Sequence, residues 1–560
     1  MTIPYYATLI FLPLAFAAII PFIKPSADGG RNLHVFGIGA SALLFLYSMI
    51  AWNAPALPPA ETWRWLPGLG IHFAVGADGL SMTMVTLTTL LVALACVASV
   101  SSIHKRLKLY YAMLFTLTSA ILGVFLARDL FCFFLFYELE LIPMYLLIAI
   151  WGGPRKDYAA TKFVLYTLFG SIFLVAAILG LYVHGRAIGL NPENLFLFES
   201  VKASIPFLAS GAQLLVFAGF FIAFAVKLPV VPLHTWLPDA HVEAPTPVSM
   251  LLAGVLLKMG AYGMLRFCWE FLPGAAHQFS PWIALLAVIN IVYAAGVAMV
   301  QKDLKKLVAY SSVSHMGFVL LGLAAMNAAG FNGAVFVMFA HGLVSAALFM
   351  CVGTLYVRTH TRAIADYGGL GKQVPALFYY FMFMSLASLG LPLLVNFASE
   401  TLVFYGAFLS RAFTVAWATA SGPNLVWTMQ IATALAAIGV ILGAAYMLWM
   451  LQRVFFGPLK ERWTGLTDAT LSETFVLGAL SAFVLLYGLF PQWLTRHFEP
   501  DVTAMAERFA FMPTHRQIIG AQAPDAPVTM ADAAVSSSTV SASQLPSVAH
   551  SPLPQETNAP

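Results

Sequence analysis

Six titratable side chains stand inside long apolar stretches of this 560-residue sequence, and the chemistry they share is proton transfer. A charge at the centre of a bilayer costs about 2.5–3.5 kcal/mol on insertion scales, and residues kept there usually mark a proton or ion path. Lysine, glutamate and histidine can each gain and lose a proton when burial shifts their pKa values. A structural ion pair between helices is the alternative for any single one. The candidate proton-transfer residues are Glu138, Lys227, Lys258, His315, His341 and Glu400.

Four of these residues lie at nearly the same depth in their apolar stretches. Lys258 and His341 each stand 11 residues after the start of a stretch, and Glu138 stands eight residues after its start. His315 follows the loop residue Lys306 by nine positions. At 1.5 Å per helical residue these side chains are about 12–17 Å deep, near the middle of a hydrocarbon core of about 30 Å. A row at one depth suits lateral proton transfer.

The composition excludes a soluble globular enzyme and predicts a polytopic membrane protein. Apolar residues make up 60% of the chain and charged residues 9%, against about 25% charged residues in ordinary soluble domains. The net charge of +4 gives no indication of a nucleic-acid partner. The four cysteines stand far apart without a CxxC pair, and no nucleotide-binding motif occurs. We therefore expect no cofactor and no metal in this chain.

Apolar stretches of the length that crosses a membrane, about 20 residues, occur along most of the chain. They predict an all-α polytopic membrane protein with about 14 transmembrane helices. The first stretch lacks a basic leader and a small-residue cleavage site, so we interpret it as a retained helix. The predicted spans are 3–23, 33–52, 79–100, 109–127, 130–151, 161–183, 211–232, 247–269, 281–300, 307–325, 330–357, 374–411 (interrupted), 428–452 and 471–494.

Lysine and arginine are divided unequally between the two sets of loops. The loops that follow odd-numbered spans carry 17 of these residues, the opposite loops carry five, and the C-terminal tail carries three. Positive loops stay in the cytoplasm, so we predict a plasma-membrane protein with both termini on the outer side. From 513 onward the composition turns to Ala, Ser, Pro, Thr and Gln, which predicts a disordered tail over 513–560.

Two predicted spans are interrupted beside a charged residue. Lys227 is followed by prolines in KLPVVPLHTWLPDAHVEAPTP, and Glu400 is preceded by Gly390 and Pro392 in SLGLPLLVNFASE. Proline removes a backbone hydrogen bond, and a break at membrane depth is tolerated only inside protein or beside a water-filled cavity. Each break falls in the fourth helix of a five-helix set. Because five is odd, the two sets run in opposite directions, as inverted repeats do.

This placement divides the chain into an N-terminal group, two repeats, a last helix and a tail. HTWLPDAHVEAP, after the first break, holds two histidines and two acids, but its spacing matches no standard metal signature. We interpret it as a polar turn. Arg266 stands near the end of its span, where its side chain can snorkel. The predicted parts are 1–108 (three helices), 109–270 (helices 4–8), 281–452 (helices 9–13), 471–495 (one helix) and 513–560 (tail).

Three motifs resemble one family, the antiporter-like subunits of respiratory complex I, also called NADH:quinone oxidoreductase. The motifs are YELELIPMYLLIAIWGG (137–153), KLPVVPLHTWLPDAHVEAPTPVSMLLAGVLLKMGAYGMLRF (227–267) and DLKKLVAYSSVSHMGF (303–318). The resemblance covers about residues 1–495 and implies fourteen helices, broken helices 7 and 12, and a polar axis for protons. It implies that NADH, flavin, clusters and quinone bind to other chains. The implied partners are other membrane subunits, including sister antiporter-like subunits, and the lipid bilayer.

The resemblance also implies roles in the first repeat. Glu138 matches the glutamate of helix 5, and Lys227 matches the lysine before the first proline of broken helix 7. We expect these two residues to form an ion pair within the membrane, because opposite charges about 4–6 Å apart favour each other's charged forms. Lys258 matches the lysine of helix 8. Glu140 has no counterpart in the family pattern, and we expect it to face lipid or a partner.

In the second repeat the matched positions lie on helices 10, 11 and 12. His315 and His341 match polar positions, and Glu400 matches the last titratable residue of broken helix 12, where glutamate is typical of the M-type subunits. The implied function is proton translocation coupled to electron transfer in other subunits. A subunit of a multisubunit cation/proton antiporter or of a membrane-bound hydrogenase has the same motifs and stays open. A purely structural scaffold would need no such row.

Overall fold

The computed structural model describes residues 4–26, 28–419 and 422–510, so the predicted tail over 513–560 lies outside it. The described residues form helices and two short hairpins. The helices are α1 (Tyr5–Ile19), α2 (Arg31–Trp52), α3 (Gly79–Ser102), α4 (Leu107–Leu126), α5 (Leu130–Leu139), α6 (Leu141–Trp151), α7 (Lys156–Ala187), α8 (Phe198–Ser204), α9 (Ser210–Lys227), α10 (Trp236–Glu243), α11 (Thr246–Leu251), α12 (Leu257–Gly263), α13 (Pro273–Met299), α14 (Leu304–Ala324), α15 (Ala328–Thr359), α16 (Pro375–Ser388), α17 (Val395–Leu409), α18 (Met429–Phe455), α19 (Leu471–Leu489) and α20 (Gln492–Ala510). The strands are β1 (Glu61–Leu66), β2 (Ile71–Val75), β3 (Thr414–Thr419) and β4 (Gly422–Thr428).

The predicted membrane fold is confirmed. Among the described residues, 13 helical segments are long and apolar enough to cross a membrane. One of them joins α5 to α6, and another is the continuous helix Thr246–Glu270, which contains α11 and α12. The shorter helices α16 and α17 are the two halves of the interrupted element at 374–411, which brings the total to the predicted fourteen.

The most buried helices are the ones that carry the candidate residues. The apolar windows of Thr246–Glu270 and α15 are entirely buried inside the protein, and that of α14 nearly so. Ionisable side chains within membrane spans almost always face the interior of the helix bundle. α15 packs against both of the other helices, and α3 lies against Thr246–Glu270 and α15. Their position brings Lys258, His315 and His341 to the centre of the bundle.

The first predicted break separates α9 from α10. α9 ends at Lys227, and the following turn satisfies its own backbone groups inside the protein. The Val230 N–H donates to the Ala225 carbonyl at 2.9 Å, and the Trp236 Nε1–H donates to the Val226 carbonyl at 2.8 Å. Irregular backbone at membrane depth needs such internal partners. Lys227 therefore sits at a helix end that is fixed by the chain on both sides of it.

The second predicted break separates α16 from α17. Gly390 has a φ of +79°, in the left-handed region that glycine enters without a steric penalty. The Leu391 N–H donates to the Leu386 carbonyl at 3.1 Å, which closes the end of α16. The break lies in the fourth helix of the second set, as the first break does in the first set.

The helix Thr246–Glu270 has two irregular segments on either side of Lys258. The segments Leu252–Leu256 and Met264–Glu270 are π-helical, with the wider turn that one extra residue produces. π-helical segments occur mostly as short bulges inside α-helices, frequently at functional sites. The Lys258 ammonium donates to the Ala253 carbonyl at 2.5 Å, inside the first segment.

Two β-hairpins were not predicted, because short loop strands carry little periodic signal. β1 pairs with β2, Glu61 lying opposite Val75, and β3 pairs with β4. The first hairpin also caps the N-terminus of α1. The Glu61 carboxylate accepts hydrogen bonds from the backbone N–H groups of Tyr6 and Ala7 at 2.9 and 3.0 Å. These are two of the groups that a helix start leaves without partners.

Charged side chains at the two ends of the bundle agree with the predicted grouping of loops. Arg362 lies 3.3 Å from Asp303 and 3.6 Å from Glu243, and Glu243 accepts from the Arg155 N–H at 2.9 Å. These loops carry the lysines and arginines counted above, and we call this end the basic face. It joins the two repeats through ion pairs between loops predicted to lie on one side.

At the opposite face, Arg266 does not snorkel as expected. Its guanidinium turns inward, pairs with Asp78 at the start of α3, and contacts Glu270 at 3.0 Å. Burial acts to raise the pKa of Asp78, but Arg266 and Arg128 outweigh it and hold that pKa below its usual range. Removal of either partner would leave an uncompensated buried charge. It ties α3 to the end of helix Thr246–Glu270.

The helix α20, most of which lies between the predicted last span and the predicted tail, runs across this opposite face. The Gly79 N–H donates to the Asp501 carboxylate at 2.6 Å, and the His497 ring stacks on Trp52 with ring centroids 3.7 Å apart. Burial, and then the charge of Arg496, lower the pKa of His497 to about 4. α20 packs against α3 and α15 and so holds the N-terminal group to the second repeat.

Asp129 caps α5 at the opposite face and gives a pH-dependent prediction. Its carboxylate accepts from the N–H groups of His72, Phe131 and Cys132 at 2.9–3.3 Å, yet burial raises its pKa to about 6. A raised carboxyl pKa adds stability at low pH that is lost as the pH rises from about 4 to 6. We expect Asp129→Asn to abolish this loss. The measurement is the unfolding temperature of both proteins in detergent between pH 4 and 7. The same pH dependence in both proteins would contradict the prediction.

Candidate functional site

The buried ion pair of the first repeat joins Lys227 to Glu140 and not, as predicted, to Glu138. The Lys227 ammonium at the end of α9 donates directly to the Glu140 carboxylate, and the two residues are 1% and 0% exposed. The ammonium also lies 4.5 Å from the centre of the Tyr137 ring. The expectation that Glu140 faces lipid or a partner is therefore wrong: Glu140 is inside the protein.

Helix geometry explains why Glu138 is not the partner. Two residues along an α-helix turn the side chain by about 200°, so the two glutamates point to different neighbours. Glu138 points to α7, where its carboxylate accepts a hydrogen bond from the Ser171 hydroxyl. It is only partly buried, although it remains close enough to Lys227 for an electrostatic interaction. The chain is also interrupted at Glu140, between α5 and α6.

A series of polar contacts links the remaining candidates. The Lys258 ammonium lies 2.8 Å from His341 Nδ1. The ring centroids of His341 and His315 are 5.4 Å apart, and His315 Nε2 lies 3.5 Å from Glu400 Oε1. All four side chains are buried. The predicted row is therefore a run of neighbouring groups from the first repeat to the second break.

His315 is held between carbonyl oxygens. Its Nδ1 lies 2.7 Å from the Ser311 carbonyl and its Nε2 lies 3.0 Å from the Ser388 carbonyl. A neutral imidazole has one donor and one acceptor nitrogen, whereas the imidazolium has two donors. Only the protonated ring can donate to both carbonyls, with the Glu400 carboxylate nearby as a counter-charge. A proton that reaches this ring is therefore stabilised by two carbonyl oxygens.

Glu400 lies at the second break among other polar atoms that lack partners. Its Oε1 makes no hydrogen bond within the described residues, and the same is true of Ser385 Oγ and Asn396 Oδ1. Leaving such atoms unpaired costs about 1–3 kcal/mol each, and buried waters typically bond groups of this kind. Tyr446 of α18 is also buried and lies within electrostatic range of Glu400. The second break can thus hold water beside Glu400, the last residue of the row.

Gly260 brings the first break against the helix of Lys258. A Cβ atom there would lie 2.7 Å from the Leu228 nitrogen and 2.9 Å from the Phe224 carbonyl, so an alanine would push Lys227 away from Lys258. We expect Gly260→Ala to destabilise the protein by about 1–3 kcal/mol and to lower proton translocation by the assembled protein.

A matched glycine provides the control for this prediction. Gly296 lies within α13, and a Cβ added there meets nothing within 4 Å. Gly296→Ala should leave stability and proton translocation unchanged. Equal effects of the two substitutions would show that the close contact between Gly260 and the first break does not matter for proton translocation.

Two buried residues were missed as site candidates, His241 and Lys305. His241 lies in the polar turn, with its ring stacked on Phe349 at 4.4 Å and neither ring nitrogen bonded within the described residues. The Lys305 ammonium donates to the Ala244 carbonyl at 2.5 Å and lines a cavity of about 190 Å³ at the basic face. Lys305 was counted as a loop charge because it stands two residues before the predicted span 307–325, whereas the helix begins at Leu304.

The same turn does not gather its four side chains around one point. Asp239 pairs with Lys162 at 2.7 Å, and Glu243 pairs with Arg362. The His241 ring stacks on Phe349, and the His234 ring lies edge-on to Tyr293, with ring centroids 5.9 Å apart. Each side chain has a different neighbour, which supports the polar-turn interpretation over the metal alternative.

Comparisons with known proteins are in accord with this geometry. Residues 127–423 match the model of a family described as NADH:quinone oxidoreductase/Mrp antiporter, TM. The chain is 41% identical to NADH-quinone oxidoreductase subunit M of Rhodobacter capsulatus. The alignment covers 89% of this chain and 96% of that protein. It is 40% identical to NAD(P)H-quinone oxidoreductase chain 4 1 of Thermosynechococcus vestitus, covering 89% and 92%.

Solved structures extend the likeness to the fold. A chain of respiratory complex I from Thermus thermophilus with bound NADH superimposes with a TM-score of 0.78 at 32% identity, over 90% of this chain and 99% of that chain. A chain of the Mrp complex from Dietzia sp. DQ12-45-1b gives a TM-score of 0.73 at 20% identity, over 91% and 99%. The second likeness concerns the fold alone.

Proposed function

This chain belongs to the NADH:quinone oxidoreductase/Mrp antiporter transmembrane family, and we propose that it is the M-type, proton-translocating membrane subunit of an NADH-quinone oxidoreductase. The observation that carries the proposal is the buried run of contacts Lys258–His341–His315–Glu400. Four ionisable groups in a membrane interior are costly, and a scaffold would not need them. Relatives named for this enzyme, 40–41% identical over most of the chain, support the choice of complex.

In the proposed mechanism the ion pair Lys227–Glu140 controls the row. Separation of the two side chains removes the attraction that holds a proton on Lys227, and the field at Lys258 changes with it. Lys258 then passes a proton to His341 across their 2.8 Å contact. His315 and water transmit the charge to Glu400, from which it leaves through the second break.

The redox chemistry belongs to other subunits in this proposal. NADH, flavin, iron–sulfur clusters and quinone bind to other chains, and this chain holds no cofactor. Its four cysteines are buried and unbonded to one another, and they lie on four different helices. The partners are the other membrane subunits of the enzyme, including sister antiporter-like subunits, together with the lipid bilayer.

Purification of the native complex tests the proposal. The tagged chain should co-purify with flavin- and quinone-site subunits, and the preparation should oxidise NADH with quinone. A multisubunit cation/proton antiporter is the second candidate, because a chain of an Mrp complex has the same fold. Co-purification with antiporter subunits alone, or with a hydrogenase, would overturn the first candidate while leaving the proton path intact.

The membrane orientation is a further part of the proposal. We expect the basic face in the bacterial cytoplasm and both termini in the periplasm, because 17 basic residues lie in or next to one set of loops and five in or next to the other. Single cysteines at exposed positions test this, and the natural cysteines, being buried, give little background. Lys105→Cys and Arg462→Cys should resist an impermeant thiol reagent in intact spheroplasts, and Arg64→Cys should react. The reverse pattern would invert the orientation.

A further inference from the structure

A ladder of three side-chain hydrogen bonds runs along α7, separate from the row described above. Lys162 Nζ lies 2.7 Å from the Asp239 carboxylate, and the Tyr166 hydroxyl lies 2.6 Å from the Thr235 hydroxyl. The Ser171 hydroxyl donates to the Glu138 carboxylate. We call these three pairs the α7 ladder; its members are Lys162, Asp239, Tyr166, Thr235, Ser171 and Glu138.

The ladder connects the basic face to the membrane interior. α7 begins at the basic face with Lys156, so Lys162 lies six residues and Ser171 fifteen residues along it. At 1.5 Å per residue the ladder spans depths of about 9–23 Å. Its outer pair is partly open, since the side chains of Lys162 and Asp239 are 19% and 21% exposed. Water at the basic face can therefore reach the first pair, whereas Ser171 is buried.

The position of Glu138 indicates that the ladder has a role in proton transfer as well as in helix packing. Glu140 supplies the ion pair of Lys227, so Glu138 is free of that structural task. It is nevertheless kept at mid-membrane depth, where a carboxylate is costly, and within the described part of the chain its carboxylate accepts a hydrogen bond from the ladder. It also lies within electrostatic range of Lys227. A group that receives protons there would act directly on the ion pair.

We propose that the α7 ladder is a proton-uptake path from the basic face to Glu138, and that Glu138 and Glu140 divide two tasks between them. A proton from water binds the Asp239 carboxylate, and each hydroxyl of the ladder accepts one proton and releases another. Waters span the intervals of about 6–8 Å between rungs. The net change is one proton gained by the Glu138 carboxylate. Protonation of Glu138 removes a negative charge near Lys227. This inference rests on the proposed proton-translocating function.

The test removes the two middle hydroxyls while keeping shape, in Tyr166→Phe/Thr235→Val. The matched control is Tyr182→Phe/Thr161→Val, because both residues lie on α7 outside the ladder. We measure initial NADH-driven proton translocation in vesicles per assembled complex, in H2O and D2O. We expect the ladder variant to lose about tenfold in rate, equivalent to about 1.4 kcal/mol in barrier, with a larger solvent isotope effect. The control should be unchanged.

Further variants separate this inference from the function it rests on. Asp239→Asn should lower the rate and Asp239→Glu should restore part of it, which a purely packing role would not do. Lys258→Met serves as the reference for proton translocation itself. If Lys258→Met abolishes translocation and the ladder variant is normal, the ladder is a packing feature and the proposed function stands. If neither variant changes the rate, both proposals are wrong.

Discussion

Glu140→Gln should abolish or strongly reduce NADH-driven proton translocation in the assembled complex, more severely than Glu138→Gln. Glu140 is the carboxylate bonded to the buried Lys227 ammonium. Removal of one partner of a buried pair leaves an uncompensated charge, at a cost of about 3–5 kcal/mol. Lys227 must then lose its proton, or its side chain must move and displace the first break. After either change Lys227 no longer influences the proton affinity of Lys258. Proton uptake in vesicles, normalised to assembled complex, is the measurement.

Paired variants separate stability from function at this site. The double variant Glu140→Gln/Lys227→Met should regain stability, because both charges are gone, but should not regain translocation. Glu138→Gln should lower translocation through the loss of a proton acceptor, and Glu138→Asp should keep part of it. Normal translocation by a stable Glu140→Gln complex would mean that the ion pair is structural only.

Loss of either end of the row should also have a large effect. We expect Lys258→Ala and Glu400→Ala each to impair translocation severely, since Lys258 contacts His341 and Glu400 lies beside the second break. Glu400→Lys should be milder because a titratable group remains. His315→Ala and His341→Ala should each have smaller effects, because water can replace one imidazole.

The measurements are proton uptake, NADH oxidation and the amount of assembled complex in the same vesicles. A structural role for Glu400 would lower assembly in proportion to uptake, whereas a role in the path lowers uptake alone. Normal uptake in a fully assembled Glu400→Ala complex would remove Glu400 from the path and leave it as a residue that stabilises the break.

The features of the fold that repeat along the chain could be predicted from the sequence. Apolar length located the spans, and prolines beside Lys227 and Glu400 located both breaks, because each signal needs only local chemistry. Matching depths also anticipated that Lys258, His341 and His315 are neighbours. Depth orders residues along the membrane normal, and ionisable side chains at mid-membrane depth face the interior of the bundle, where these three meet.

The rotation of each helix about its own axis could not be predicted from the sequence. Glu138 and Glu140 differ by two positions and sit in a stretch that is apolar on every face, so no amphipathic pattern tells which one faces α9. The ladder was missed for the same reason, since Tyr166 and Thr235 are ordinary polar residues until the fold places their hydroxyls 2.6 Å apart. α20 was missed because its contacts with Gly79 and Trp52 join distant parts of the chain.

The π-helical segment before Lys258 makes the aim of that side chain depend on chain length as well as on residue type. Deleting one residue within Leu252–Leu256 would restore ordinary α-helical spacing there, and every later residue of the helix would rotate by about 100° and shift by about 1.5 Å. Lys258 would then leave His341, although neither residue had been altered. A one-residue insertion or deletion in this segment therefore acts on the proton path as strongly as the loss of a charged group.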